Sequence, residues 1–379
     1  MKIAHVSDFY LPRLGGIETH VSDLFGLQRD LGHEVHVVTS TTGPAAPGVH
    51  RVAGVEGGAN VIHPLATAAG VRALLDLDVD VVHAHLGVAS PLAFFGARAA
   101  ARAGLPTVVT VHSMWAGVGP IMATMDALGG WSGLPIAWTA VSEAATAPVR
   151  RHLIPGTPIR LLSNGIHQNE WRLPAPEERP HELRLVAVMR LASRKRPLAL
   201  LRIFRAAQST LERSGDPTRL RLLVAGEGPM RPAMDRFVRR HRLASQVSLL
   251  GRLERREVRA LLGGSHVFVA PADLESFGIA ALEARCAGLP VVAKSQGGVR
   301  EFVRHEHEGL LCASDDEMVD AVVRLARDRA LRRTIAEHNR TTDCPAAWGP
   351  LLAATAEVYE TAARLQAQHT RRPALRGAR

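Results

Sequence analysis

Arg172-Leu173-Pro174-Ala175-Pro176-Glu177-Glu178-Arg179-Pro180-His181-Glu182 lies near the middle of a 379-residue chain and carries three prolines with no apolar periodicity. Such a stretch reads as a linker. It leaves a part on either side large enough to bury its own core. On the N-terminal side, short apolar runs alternate with helix-like segments. The runs Lys2–Asp8, Glu34–Ser40, Val79–His85, Thr107–His112, Ala137–Val141 and Ile159–Ser163 are rich in Val and Ile and mostly apolar throughout. That is the pattern of parallel strands buried on both faces. Between them lie helical stretches such as Glu18–Leu31, closed by Gly32. Beyond the linker the alternation restarts, with Leu183–Met189, Arg221–Ala225, Val247–Leu250, Val267–Ala270, Pro290–Ala293 and Gly309–Cys312. Repeated strand–helix units predict two doubly wound α/β domains, each around a parallel sheet. Ligands of such sheets bind past the carboxyl ends of the strands, so the residues just after strands are the functional candidates.

Composition narrows the class. Hydrophobic content of 46% and charged content of 22% suit a globular chain. No apolar run reaches the roughly 18 residues of a membrane span, and Met1-Lys2-Ile3-Ala4-His5-Val6 runs into strand-like sequence without a signal-peptide core. A cytoplasmic protein is expected. Three cysteines, Cys286, Cys312 and Cys344, form no C-x-x-C pair and predict neither a disulfide framework nor a zinc site. The net charge of +10 is uneven: residues 1–170 hold 10 basic and 12 acidic residues, leaving 36 basic and 24 acidic to the remainder. With aromatics at 4% and no basic stripe interleaved with them, nucleic-acid binding is not expected.

Four segments carry chemistry. Pro271-Ala272-Asp273-Leu274-Glu275-Ser276-Phe277-Gly278-Ile279-Ala280-Ala281-Leu282-Glu283-Ala284 follows a strand and opens a helix. Ser276 is the expected cap, and the amides of Phe277, Gly278 and Ile279 are the expected anion donors. Glu275 and Glu283 are acceptor-only carboxylates suited to paired hydroxyls. Met189-Arg190-Leu191-Ala192-Ser193-Arg194-Lys195-Arg196-Pro197 also follows a strand. There Arg190 can fork two phosphate oxygens and Lys195 adds a point charge. Asp8-Phe9-Tyr10-Leu11-Pro12-Arg13-Leu14-Gly15-Gly16-Ile17-Glu18 places a glycine pair where backbone amides can approach a phosphate. It is neither a dinucleotide fingerprint nor a Walker A loop. Finally, His112 ends Val108-Val109-Thr110-Val111, and His83 and His85 end the strand before it, whereas His5 reads as a core residue.

Taken with their flanks, the two glutamates seven residues apart resemble the signature of glycosyltransferase family 4. The Met189–Pro197 segment resembles that family's Gly-Arg-Leu-x-x-x-Lys-Gly, with Met189 and Arg196 in place of its two glycines. The resemblance covers nearly the whole chain and implies a retaining enzyme of the GT-B fold, two Rossmann-like domains facing a cleft. It implies an N-terminal acceptor-binding domain (1–171), the linker 172–182 and a nucleotide-sugar donor domain (183–345). A helix over 346–368 would cross back to the first domain, ahead of a basic disordered tail (369–379). Glu275 would contact the donor sugar, Glu283 the ribose, Arg190 and Lys195 the leaving diphosphate, and Gly15 and Gly16 the same phosphate.

The resemblance also places His112 at the junction of donor and acceptor, and makes His112, Arg190, Lys195 and Glu275 the expected catalytic set. His85, His112 and Trp115 are the expected acceptor contacts. Trp115, Met122, Met125 and Trp131 would form an apolar acceptor wall, a membrane-touching surface or a buried helix. The opening segment resembles transferases that add N-acetylglucosamine to phosphatidylinositol. A UDP-sugar donor, a lipid-linked acceptor and a peripheral place at the inner membrane face follow as expectations. No Asp-x-Asp pair stands where a metal would bridge a diphosphate, so neither metal nor other cofactor is expected. The rival readings are a sugar-nucleotide epimerase on the same fold and a basic nucleic-acid-binding protein.

Overall fold

The computed structural model describes residues 1–13, 15–52, 64–115, 130, 131 and 133–376. By its internal contacts the chain divides into two compact units. One holds residues 1–165 together with the helix Trp348–Arg376, and the other holds 166–347.

The first unit is built on a seven-stranded parallel sheet. Its strands are β1 (Lys2–Ser7), β2 (Glu34–Thr39), β3 (Val49–Arg51), β4 (Val81–Leu86), β5 (Thr107–Val111), β6 (Ile136–Ala140) and β7 (Ile159–Leu161), in the order β3-β2-β1-β4-β5-β6-β7. The order reverses at β1, the switch point where doubly wound sheets open to ligands. The six strands expected from sequence are present within two residues at either end. The three-residue edge strand β3 was not expected, because three residues show no period.

One face of this sheet is aliphatic. Ala4, Val6, Val82, Ala84, Leu86, Val109 and Val111 pack with the helix Pro91–Arg102 into one buried cluster. The opposite face begins aliphatic, with Ile3, Val81, Val108 and Ala137 against Val358, Tyr359 and Ala362 of the last helix. Further along the same strands it turns polar, with His5, His83, His85, Thr110 and Thr139 all fully or almost fully buried. A buried polar group is tolerated only when hydrogen-bonded, and each of these is.

The second unit repeats the plan. Strands β8 (Glu182–Val188), β9 (Arg219–Ala225), β10 (Val247–Gly251), β11 (Val267–Ala270), β12 (Val291–Lys294) and β13 (Gly309–Cys312) form a parallel sheet in the order β10-β9-β8-β11-β12-β13. Its core joins Leu185, Leu222, Val224, Val267 and Val292 to Leu200, Phe204 and Leu211 of the helix Pro197–Arg213. All three cysteines are free and buried.

The contact boundary falls at Gly165, ahead of the stretch read as a linker. Residues 166–171 are drawn into the second unit by specific bonds. The Ile166 amide donates to the Ala346 carbonyl (3.0 Å). The Gln168 side chain receives the Cys344 amide (2.7 Å) and donates to the Thr342 carbonyl (3.0 Å). Trp171 is 1% exposed beneath Arg255. The two crossings of the chain are thus tied side by side, a pairing that local sequence composition does not reveal. Among the described residues no helix is long and apolar enough to cross a membrane.

Candidate active site

In the second unit the candidate residues gather at the carboxyl ends of the strands. Arg190 follows β8 and is exposed. A single 3-10 turn, Ser193–Lys195, then presents Lys195. Glu275 comes from the loop after β11, and its carboxylate forms an ion pair with the Lys195 ammonium, both side chains being mostly buried (18% and 16% exposed). Two residues 80 positions apart, each singled out from its own motif, therefore meet at one point.

The backbone around them is fixed by glycines that nothing larger fits. A Cβ on Gly226 would stand 1.8 Å from the Met189 carbonyl oxygen, and one on Gly228 would stand 2.6 Å from that of Leu191. The Leu191 amide donates to the Glu227 carbonyl (2.8 Å), so the loop after β9 clamps the Arg190 segment. Gly298 does the same for the Glu275 loop. Its amide donates to the Glu275 carbonyl (2.8 Å), and a Cβ there would meet the Ser276 oxygen at 2.1 Å.

The helix after Glu275 spans Ile279–Cys286 and is capped by Gly278 at φ 96°. The expected Ser276 cap is therefore corrected. Gly278 reaches the left-handed region that a side chain resists, and its carbonyl accepts from Ala281 and Leu282 (2.9 and 3.0 Å). The first-turn amides without an intrahelical acceptor are those of Ile279 and Ala280, one residue beyond the expected set. Phe277 is 2% exposed and packs on Phe302, so only its backbone can serve a ligand. Glu283 sits one turn into the helix and is half-buried.

Sequence reasoning missed a cluster behind this pair. Arg196, at φ 55°, forks both carboxylate oxygens of Asp315 (2.8 Å each) and reaches Asp273 (3.1 Å) and the Pro271 carbonyl (2.9 Å). Lys294, its side chain 4% exposed, joins Asp315 at 2.9 Å and Asp273 at 3.6 Å. Hydrogen bonds from Arg196, then Lys294, hold the Asp315 carboxyl below its ordinary range. The available signal was slight: Lys294 is one of only three lysines and ends a strand.

In the first unit, Gly15 and Gly16 stand exposed between β1 and the helix Gly16–Asp30. Asp8 is buried, receiving the Leu92 and Ala93 amides at 2.9 Å each. It is a cap for the helix Pro91–Arg102, and burial raises its carboxyl to about 6. His112 is 4% exposed. Its Nε2 lies 3.0 Å from His85 Nδ1, and its Nδ1 lies 3.1 Å from Asn164 Oδ1. Burial pushes the His112 imidazole down to about 4. His85 is fully buried with both nitrogens engaged, which corrects its expected place on an acceptor-facing surface. Trp115 is likewise 4% exposed inside the aliphatic core, so its side chain forms no surface wall. Met122 and Met125 lie outside the described residues, while Trp131 stacks on Phe94 at 3.9 Å, also in the core.

Comparison with known proteins identifies the family. Residues 14–170 match the sequence pattern described as Glycosyltransferase Family 4, and residues 170–342 match that of Glycosyl transferases group 1. The chain belongs to glycosyltransferase family 4. Among family members, a human phosphatidylinositol N-acetylglucosaminyltransferase subunit is 28% identical over 82% of this chain and 65% of its own length. A glycogen synthase of Mycobacterium tuberculosis is 33% identical over 55% of this chain and 50% of its own. The chain thus spans about two thirds and one half of these relatives. The Anabaena HepE structure in complex with UDP and glucose superposes with a TM-score of 0.69 over 99% of both chains at 17% identity, which supports the GT-B fold.

Proposed function

We propose that this family 4 member transfers a sugar from a nucleotide diphosphate donor to an acceptor hydroxyl with retention of anomeric configuration. The observation that carries the reading is the meeting of Lys195 and Glu275 beside the Gly278-capped helix. This one corner of the second sheet offers a cation for phosphate, a carboxylate for sugar hydroxyls and unpaired amides for an anion.

The chemistry follows from those groups. As the bond from the anomeric carbon to the diphosphate oxygen breaks, negative charge grows on the leaving oxygen. Arg190, Lys195 and the amides of Ile279 and Ala280 stabilise it. The acceptor oxygen bonds to the anomeric carbon from the same face, and its proton passes to the departing phosphate. Glu275 holds the sugar and Glu283 the ribose. Gly15 and Gly16 are the proposed diphosphate contacts of the first unit, and His112 is its proposed contact with the reacting sugar. Positioning and leaving-group stabilisation supply the rate. These cations serve in place of a divalent metal.

UDP is the favoured base, since the Anabaena protein is seen with UDP and glucose. N-acetylglucosamine is the favoured sugar and a lipid-linked hydroxyl the favoured acceptor, since the human relative's name specifies both. The protein would then work in the cytoplasm at the inner membrane face. The test is UDP release from UDP-N-acetylglucosamine with phosphatidylinositol vesicles, in EDTA, with the product anomer read by NMR. An α-linked product formed in EDTA is expected. An inverted product, or activity restored only by Mg²⁺, contradicts the mechanism.

A further inference from the structure

The polar face of the first sheet holds a hydrogen-bond chain whose direction can be worked out from one end. Thr139 Oγ1 donates to the Val109 carbonyl (3.1 Å), an oxygen that can only accept. Thr139 must then receive its own bond from Thr110 Oγ1 (2.6 Å). Thr110, its proton spent, accepts from His83 Nε2 (2.6 Å). A neutral imidazole has one donor and one acceptor, so His83 Nδ1 accepts from the Tyr359 hydroxyl (3.1 Å). Tyr359 in turn accepts from Gln28 Nε2 (3.0 Å), which leaves Gln28 Oε1 facing His5 Nε2 (2.7 Å).

From Gln28 the polarity continues. His5 donates from Nε2 and accepts at Nδ1 from His85 Nε2 (3.0 Å). His85 Nδ1 then accepts from His112 Nε2 (3.0 Å). Every imidazole in the path carries its proton on Nε2, and His112 Nδ1 is left as a lone pair. The Asn164 amide, whose oxygen stands 3.1 Å from that lone pair, must rotate to present its NH₂. A proton added to bring Asn164 back as acceptor would leave a cation among buried imidazoles. Among the described residues no carboxylate is bonded to His5, His83, His85 or His112, and burial opposes the charge at each.

We propose that Gln28 is a positioning residue for His112: as the junction of this one-way chain it fixes His112 as the Nε2–H tautomer, relayed by His5 and His85. The reading of His112 as a site residue comes from the proposed function, but the tautomer can be read without substrate. Long-range ¹H–¹⁵N correlation of the full chain reports which ring nitrogen holds the proton. In the unsubstituted protein His5, His83, His85 and His112 should all be neutral and all Nε2–H; mixed tautomers among the four overturn the proposal. In Gln28→Leu the His112 nitrogen signals should move toward the average of the two tautomers. His20 should not move, because its Nδ1 receives the Gly165 amide (3.3 Å) outside the chain. Asn164→Leu keeps the junction and should keep His112 as Nε2–H. A change there with none in Gln28→Leu assigns control to Asn164 and refutes the role of Gln28. Sugar transfer by Gln28→Leu should fall at least tenfold in kcat with donor KM unchanged. If the tautomer shifts and kcat does not, His112 is not acting in transfer; if neither shifts, the relay itself is wrong.

Discussion

Lys195 and Arg190 are the cations proposed to neutralise the leaving diphosphate. Removing a donor aimed at developing charge costs about 10²–10³ in rate, and neither side chain belongs to the apolar core, Arg190 being exposed and Lys195 paired with Glu275. Arg190→Ala and Lys195→Ala should each lower kcat by about that factor while the melting temperature stays within a degree or two. Near-normal turnover in both would remove them from the leaving-group role. Arg196 illustrates a different balance. Its left-handed backbone costs roughly 1–2 kcal/mol in an L-residue, which explains why a glycine suits the position in the family pattern. Here the fork to Asp315 offsets that cost. Arg196→Ala keeps the strain and loses the fork, so urea unfolding should show a loss of about 1–2 kcal/mol. Arg196→Gly should lose less. Equal losses would mean the backbone strain is not felt.

At the scale of elements, the second sheet's strands and the Glu275 and Lys195 motifs were readable because each obeys a local rule. A continuous apolar run marks a doubly buried strand, and a charged or glycine-rich segment after it marks the ligand edge. The misread elements depend on contacts far away in sequence. Gly278 rather than Ser276 caps its helix, and the backbone leading to it is held by Gly298, whose amide binds the Glu275 carbonyl 23 residues back. His83 and His85 were functional candidates because they end a strand, yet His83 is bonded to Tyr359 of the last helix, 276 residues later in the chain, and His85 stacks on His83. Lys294 and Asp315 showed no motif at all.

The buried imidazoles give this face a pH signature. In the folded chain burial holds His5 and His112 down at about 4, and His20, His83 and His85 also well below their ordinary value. In the unfolded chain they titrate near 6.5. As pH falls through that value, the unfolded form gains protons that the folded form refuses. Stability is therefore full above about pH 7 and is lost toward pH 4, by up to about 3 kcal/mol for each of His5 and His112. Asp8, raised to about 6, acts oppositely and offsets about one histidine. A melting temperature markedly lower at pH 5 than at pH 7 is expected. No difference would mean the histidines are not neutral and buried as described.

Over the whole molecule, two parallel sheets, alike in strand order but for a seventh strand in the first, bring separate sets of polar groups to their carboxyl ends. The excess positive charge lies in the half that holds the donor candidates, which suits an anionic co-substrate. The proposed reaction requires that this half bind a nucleotide diphosphate sugar. The most direct measurement is a thermal-shift panel with UDP, GDP, ADP, dTDP and their sugar conjugates, on the unsubstituted chain and on Glu283→Ala. A ligand at 100 times its Kd stabilises by about 2.7 kcal/mol, a shift of several degrees for a unit of this size. Such a shift is expected with UDP and its conjugates, and is expected to be lost in Glu283→Ala. No shift with any nucleotide, or a shift indifferent to Glu283, would contradict it.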